Sequence, residues 1–69
     1  MKISARNQLA GTVVEINKGE AIANVQLDVA GQRLVASITV EAVEDLGLQP
    51  GTEILAVIKA SDVMVATRD

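Results

Sequence analysis

From Ala21 to Val29 every odd position is apolar: Ala21, Ala23, Val25, Leu27 and Val29. The positions between them include Asn24, Gln26 and Asp28. Successive side chains of an extended backbone point to opposite faces, so a period of two marks a half-buried strand. Arg33 to Val40 repeats the pattern, with Leu34, Ala36, Ile38 and Val40 set against Arg33, Ser37 and Thr39. Two such runs in succession commit the chain to sheet. Asn17-Lys18-Gly19-Glu20 and Ala30-Gly31-Gln32 supply the turns on either side of the first run.

Three more strands follow from the same reading. Gly11 to Ile16 is rich in Thr and Val, and Ile54 to Lys59 and Val63 to Thr67 are nearly continuous apolar runs. Continuous runs belong to strands covered on both faces, as in a barrel or at a subunit interface. The lead-in, Lys2 to Leu9, alternates Ile3, Ala5, Asn7 and Leu9 against Ser4, Arg6 and Gln8. One segment departs from the period of two. Val40, Val43 and Leu46 recur at helical spacing, Thr39 is placed to cap the first turn, and Gly47 fits the position just past the end. Glu41 sits in the first turn, where a carboxylate suits the helix dipole. Pro50-Gly51 then turns the chain. Five strands with one short helix between the third and fourth main strands is the order of an OB-type barrel. The expected class is all-β with one short helix, in a single domain over residues 1–69. No internal repeat, linker or low-complexity segment interrupts it.

Size makes that fold hard to sustain alone. A core in a chain below about 70–80 residues rarely yields more than about 3–5 kcal/mol without a staple. Of the 69 residues 49% are hydrophobic, yet there is no Phe, Trp or Tyr, and no Cys or His. Ala and Val (10 each), Ile and Leu (6 each) and Met (2) carry all the apolar content. Disulfides are impossible and soft metal sites disfavoured. Oligomerisation is the remaining staple, so the expectation is an obligate homo-oligomer.

The same absences narrow the function. Without His the commonest general base is missing, and no Ser has a His partner. A Ser61–Lys59 pair is the sole alternative, and residues two apart rarely reach the required geometry. The chain is expected not to be an enzyme. A net charge of −3 and a lack of aromatics speak against nucleic acid, which needs a basic face and, for single strands, stacking platforms. No apolar run approaches the 18 residues of a membrane span, and Met1 to Arg6 turns polar before a signal peptide could form. The expected location is cytoplasmic.

Two stretches look out of place as scaffold. In Ser4-Ala5-Arg6 an extended backbone would project a hydroxyl and a guanidinium to one face, as a small anion clamp. At Lys59-Ala60-Ser61-Asp62 an apolar strand stops, and small residues in a turn can present successive amides to an anion. From pattern alone, the ordinary reading of Arg6 and Lys59 is a solvated charge at a strand end, and of Thr39 a helix cap. Met64 reads as a core residue.

At these residues the chain resembles the molbindins, free-standing Mop domains. The matching blocks are Ile3-Ser4-Ala5-Arg6-Asn7-Gln8-Leu9 with Gly11 and Val13-Val14, then Leu46-Gly47-Leu48 through Gly51, then Ala56 to Met64. The resemblance implies an OB-like five-stranded barrel with a strand exchanged between protomers. It implies a homohexamer, a trimer of dimers, with oxyanion sites at its interfaces. The ligand implied is molybdate or tungstate, held as an oxyanion for storage or homeostasis, with no metal ligated directly and no cofactor. By position, the resemblance assigns Ser4 and Arg6 to one side of a site, with Lys59 and Ala60 contributing through side chain or backbone amides, and Ser61 and Thr39 as further candidates. A second class of site near a threefold axis would be sought first around Lys18 to Glu20. Two other readings stay open: an OB-type nucleic-acid-binding module, and a pure assembly module.

Overall fold

The computed structural model describes residues 1–69. Its elements are β1 (Asn7–Lys18), β2 (Ile22–Val29), β3 (Gln32–Thr39), the helix α1 (Val40–Asp45), β4 (Glu53–Ile58) and a short 3-10 turn (Ala60–Asp62). The strands form one antiparallel sheet in the order β3-β2-β1-β4.

The period of two decides which face is inside. Ala23, Val25 and Leu27 of β2 are buried, while Asn24 and Asp28 are exposed. Their partners on β3 follow, since Ala23 faces Ile38, Val25 faces Ala36 and Leu27 faces Leu34. The β2–β3 connection is two residues, Ala30-Gly31, both with positive φ (51° and 83°), the handedness a tight hairpin requires. Only the glycine adopts that region freely; Ala30 carries its Cβ into it.

β1 is twice as long as β4, and its two halves do different work. Asn7 to Thr12 pair with β4, and Thr12 to Lys18 pair with β2. The register slips between Val13 and Glu15, so Val14 is bulged and half exposed. A bulge of this kind sharpens the twist of a strand. Gly11 lies where β1 presses against β2. A Cβ there would stand 2.6 Å from the Asp28 carbonyl oxygen and 2.9 Å from Val29 Cγ2.

The helix forms as its caps dictate. The Thr39 hydroxyl accepts from the Ala42 N–H at 3.0 Å, and Gly47 takes φ 64° just past the end. Val43 of α1 plugs the core with Val13, Ala23, Val25, Leu27 and Ala56. That cluster and Ala5 are all the buried side chains, and no polar group is among them.

The expected fifth strand is corrected. Val63 to Thr67 pairs with nothing in the protomer, and the sheet has four strands. Met64, expected in the core, is 94% exposed and Val65 is 91% exposed. An apolar β-branched run reads as a strand whichever chain supplies its neighbour, and here the protomer does not. Val40 opens the helix instead of closing β3, and the first strand begins at Asn7, earlier than Gly11. The sheet curls so that its edge strands β3 and β4 line one apolar cavity of about 570 Å³. Leu34, Ala36, Ile38, Ile54, Leu46 and Val63 are among its walls, and Asp62 is the one residue there that is not hydrophobic.

The close approach at Gly11 gives a test. Gly11→Ala should destabilise the chain by about 1–3 kcal/mol, the usual cost of forcing atoms into a packed site. Urea unfolding should show a lower midpoint with an unchanged slope.

Candidate functional site

The register of β1 against β4 sets the site. Asn7 pairs with Ile58, so the residues just before β1 and those just after β4 leave the sheet at the same end. Ser4 and Arg6 belong to the first group, and Lys59, Ala60 and Ser61 to the second. All five are exposed. The ladder thus brings together two clusters far apart in sequence.

The N-terminal lead-in is not a straight strand. The chain bends at Ser4 and again at Arg6, so the extended Ser4–Arg6 clamp is replaced by a kinked one. Ala5 between them is buried, and its carbonyl accepts from the Gln8 side-chain amide at 3.4 Å. Burying the small methyl fixes the segment while its two polar neighbours stay in solvent.

On the other side, the 3-10 turn is closed by two backbone bonds. The Asp62 N–H donates to the Lys59 carbonyl at 2.9 Å and the Val63 N–H to that of Ala60 at 3.3 Å. The first amides of such a turn, those of Ala60 and Ser61, have no acceptor within it. No side chain caps it. Two amides, the Ser61 hydroxyl and the Lys59 ammonium are therefore available as donors on one short segment. Asp62 is the carboxylate nearest in sequence, and it lines the apolar cavity.

Thr39 is not brought to this end within the protomer. It closes β3, at the sheet edge opposite β4, and pairs with Ile22 near the Lys18 end of β1. Its oxygen accepts from Ala42, but a hydroxyl keeps its own proton to donate. Lys18 and Glu20 flank the β1–β2 turn, which the Gly19 N–H closes on the Ile22 carbonyl at 2.8 Å. Both are exposed.

The set is made of donors: guanidinium, ammonium, hydroxyl and amide. In a chain of net charge −3, the segments at this end carry Lys2, Arg6 and Lys59 against Asp62. No group of three or more carboxylates, His or Cys converges anywhere in the structure to hold a metal cation. Asp69, whose carboxyl is held below the usual range by the Thr67 hydroxyl and its own backbone amide, lies at the far end of the tail.

The chain has well-matched relatives. The TOBE domain family matches residues 3–65. This chain is a TOBE-domain protein of the molbindin family. It is 53% identical over 66 residues to molybdenum-pterin-binding protein 3 of Clostridium pasteurianum, covering 94% of this chain and 97% of that one. A molybdate-binding protein from Sporomusa ovata shares its fold with a TM-score of 0.93 at 46% identity, over 97% of this chain and all of that one. The cytoplasmic molybdate-binding protein ModG, solved with molybdate bound, gives a TM-score of 0.88 at 46% identity. That match covers 93% of this chain and 46% of ModG. The expected all-β, OB-like fold with one helix holds in these structures.

Sequence reading missed the cavity between β3 and β4. Its walls come from strand positions that read as ordinary core, and only the absence of a covering element leaves them open. The continuous apolar run from Ile54 was the available signal, since it asks for cover on both faces.

Thr39 has two separable roles to test. Thr39→Ala should cost about 1 kcal/mol through the lost cap, seen as a lower melting temperature. Thr39→Asp keeps a capping oxygen but removes the donor and adds a negative charge. Unchanged stability with anion affinity weakened at least tenfold in Thr39→Asp would place the hydroxyl at the anion; unchanged affinity would leave it a cap alone.

Proposed function

We propose that this molbindin reversibly binds molybdate, and also tungstate, at interfaces between its protomers, acting as a cytoplasmic store of the oxyanion. It is a binding module and not an enzyme, and the anion is its cargo. The carrying observation is the β1–β4 register, which sets Ser4 and Arg6 at the same sheet end as Lys59, Ala60 and Ser61.

The chemistry suits the donors. Molybdate is a tetrahedral dianion whose oxygens only accept at neutral pH. A site built of guanidinium, ammonium, hydroxyl and amide satisfies them without an opposing lone pair. Phosphate carries a proton near pH 7 and needs an acceptor in return, so a donor-only site selects against it. Sulfate matches the donor pattern but is smaller, which leaves cavity size to reject it. Tungstate differs little in size and is accepted.

The Clostridium relative's name couples molybdenum to a pterin. A pterin presents a flat heteroaromatic ring, and this chain has no aromatic side chain to stack on it. The free oxyanion is the better fit.

Assembly belongs to the same reading. Val63, Met64 and Val65 are exposed, and so is the apolar cavity between β3 and β4. Residues 63–69, if extended, reach about 23 Å, against about 20 Å for β4. The tail of a second copy is therefore long enough to lie along the cavity as the fifth strand, which pairs the free edges and buries both surfaces at once. The support for exchange is that each protomer offers one arm and one groove. A hexamer, as a trimer of dimers, uses the other exposed apolar positions, among them Leu9, Val14 and Ile22. In such an assembly Thr39 of one copy is free to join the donors of another, and the Lys18–Glu20 turn is available for a second class of site.

Titration calorimetry with molybdate, tungstate, sulfate and phosphate tests the binding. Molybdate and tungstate should give saturable heat, and sulfate and phosphate little; silence with molybdate, or equal affinity for sulfate, would sink the reading. A charge-assisted hydrogen bond is worth about 1.5–3 kcal/mol. Arg6→Ala should therefore weaken molybdate binding about ten- to a hundredfold, with an unchanged circular dichroism spectrum because Arg6 is exposed. For assembly, Val65→Asp puts a charge on the exchanged arm and should shift the mass in light scattering to smaller species. A full-sized oligomer in that variant would show that the tail is not the arm.

A further inference from the structure

We infer that the turn Lys59–Asp62 is both a wall of the anion site and the hinge of tail exchange, so that a bound oxyanion locks exchanged tails in place. The inference rests on the proposed function and adds a regulation to the same site. Three observations meet at this turn. The residue before it, Ile58, is tied into the sheet by its pairing with Asn7. The residues after it, from Val63 onward, join no strand ladder. The turn itself is exposed, uncapped and closed by two backbone bonds, the second at 3.3 Å. The backbone angles of Lys59 to Asp62 therefore set the direction in which the tail leaves the sheet. Asp62 and Val63 already stand on the rim of the apolar cavity beside Ile58, so a small rotation at the turn swings the tail into or out of a groove.

The donors assigned to the anion sit on this same turn. An oxyanion held by the Lys59 ammonium, the Ala60 and Ser61 amides and the Ser61 hydroxyl, and by Arg6 and Ser4 across the ladder, cross-links the turn to the N-terminal lead-in. Rotation then requires the anion to leave, because its donors move apart. A ligand that binds one state and not the other shifts the equilibrium by its differential affinity alone. If exchange proceeds only through the anion-free turn, its rate falls by the factor 1 + [L]/Kd, which at a hundred times Kd is about 100-fold. The store would then remodel its oligomers when the anion is scarce and hold them when it is plentiful.

Full-length chains of ordinary and 15N-labelled isotopic mass, each assembled separately, are mixed, and mixed oligomers are followed in time by native mass spectrometry. Three conditions are compared: no added anion, molybdate at about a hundred times the Kd found by calorimetry, and sulfate at the same ionic strength. Molybdate should slow mixing about 100-fold and sulfate should leave it unchanged. Mixing at the same rate with saturating molybdate, where calorimetry records binding, would overturn the lock and leave the binding function standing. Absence of calorimetric binding would instead remove the function on which it rests. Ala60→Gly loosens the turn backbone and should speed mixing in the absence of anion several-fold. An unchanged anion-free rate in that variant would take the hinge out of the turn. A chain that stays monomeric with and without molybdate would overturn the inference as well.

Discussion

The shortage of burial inside one protomer governs the rest of the structure. The largest fully buried side chains are three valines, Val13, Val25 and Val43. Burying a side chain of that size is worth about 1.5–3 kcal/mol, against a backbone entropy cost of about 1–2 kcal/mol for each ordered residue. So few buried groups leave little margin. Meanwhile the cavity between β3 and β4 and the tail beyond Asp62 present apolar surface to water. Contiguous apolar surface rimmed by polar residues is a common mark of an interaction site. No helix in the chain is long and apolar enough to cross a membrane. In the proposed assembly a second copy answers the shortage with surface of the same kind.

That covering bears on the anion. The lead-in to β1 and the exit from β4 are neighbours because one ladder joins them, and the exit leads straight into the unpaired tail. In the proposed assembly, whatever fixes the tail also fixes the donors of Lys59, Ala60 and Ser61. Binding and association then share contacts and stabilise one another by linkage. The local cluster of cations in an acidic chain is a consequence of placement, because apart from Asp62 and the tail's Asp69 the carboxylates lie on the helix, on the strands and in the β1–β2 turn.

Much of the architecture was legible. The alternation in Ala21 to Val29 and in Arg33 to Val40 correctly marked β2 and β3, because a one-residue slip would turn Val25 and Leu27 outward. Thr39, Val43 and Gly47 marked the helix and its ends through capping chemistry, which is local. The donor clusters were legible as residue types, and Ser4, Arg6 and Lys59 needed no structure to be singled out. Their union was not, since it depends on the Asn7–Ile58 register across the sheet. Val63 to Thr67 was read as strand, and its propensity is real, but propensity says nothing about where the neighbouring edge is. Ser4 and Arg6 were expected on a straight segment; the buried Ala5 and its carbonyl bond to Gln8 bend it instead.

By itself the sequence determined the classes of contact open to this chain. No His and no Cys leave it without soft ligands, no aromatics leave it without stacking, and an excess of Val, Ile and Ala leaves it pleated surface to hide. These are properties of side chains and need no coordinates. Tertiary structure decided which residues meet. The Asn7–Ile58 pairing set two distant donor segments at one end, the curl of the sheet opened a cavity between its edges, and Thr39 fell at the opposite edge. Those outcomes hang on register and twist, which are sums over many weak pairings along whole strands, and no local window of sequence contains them.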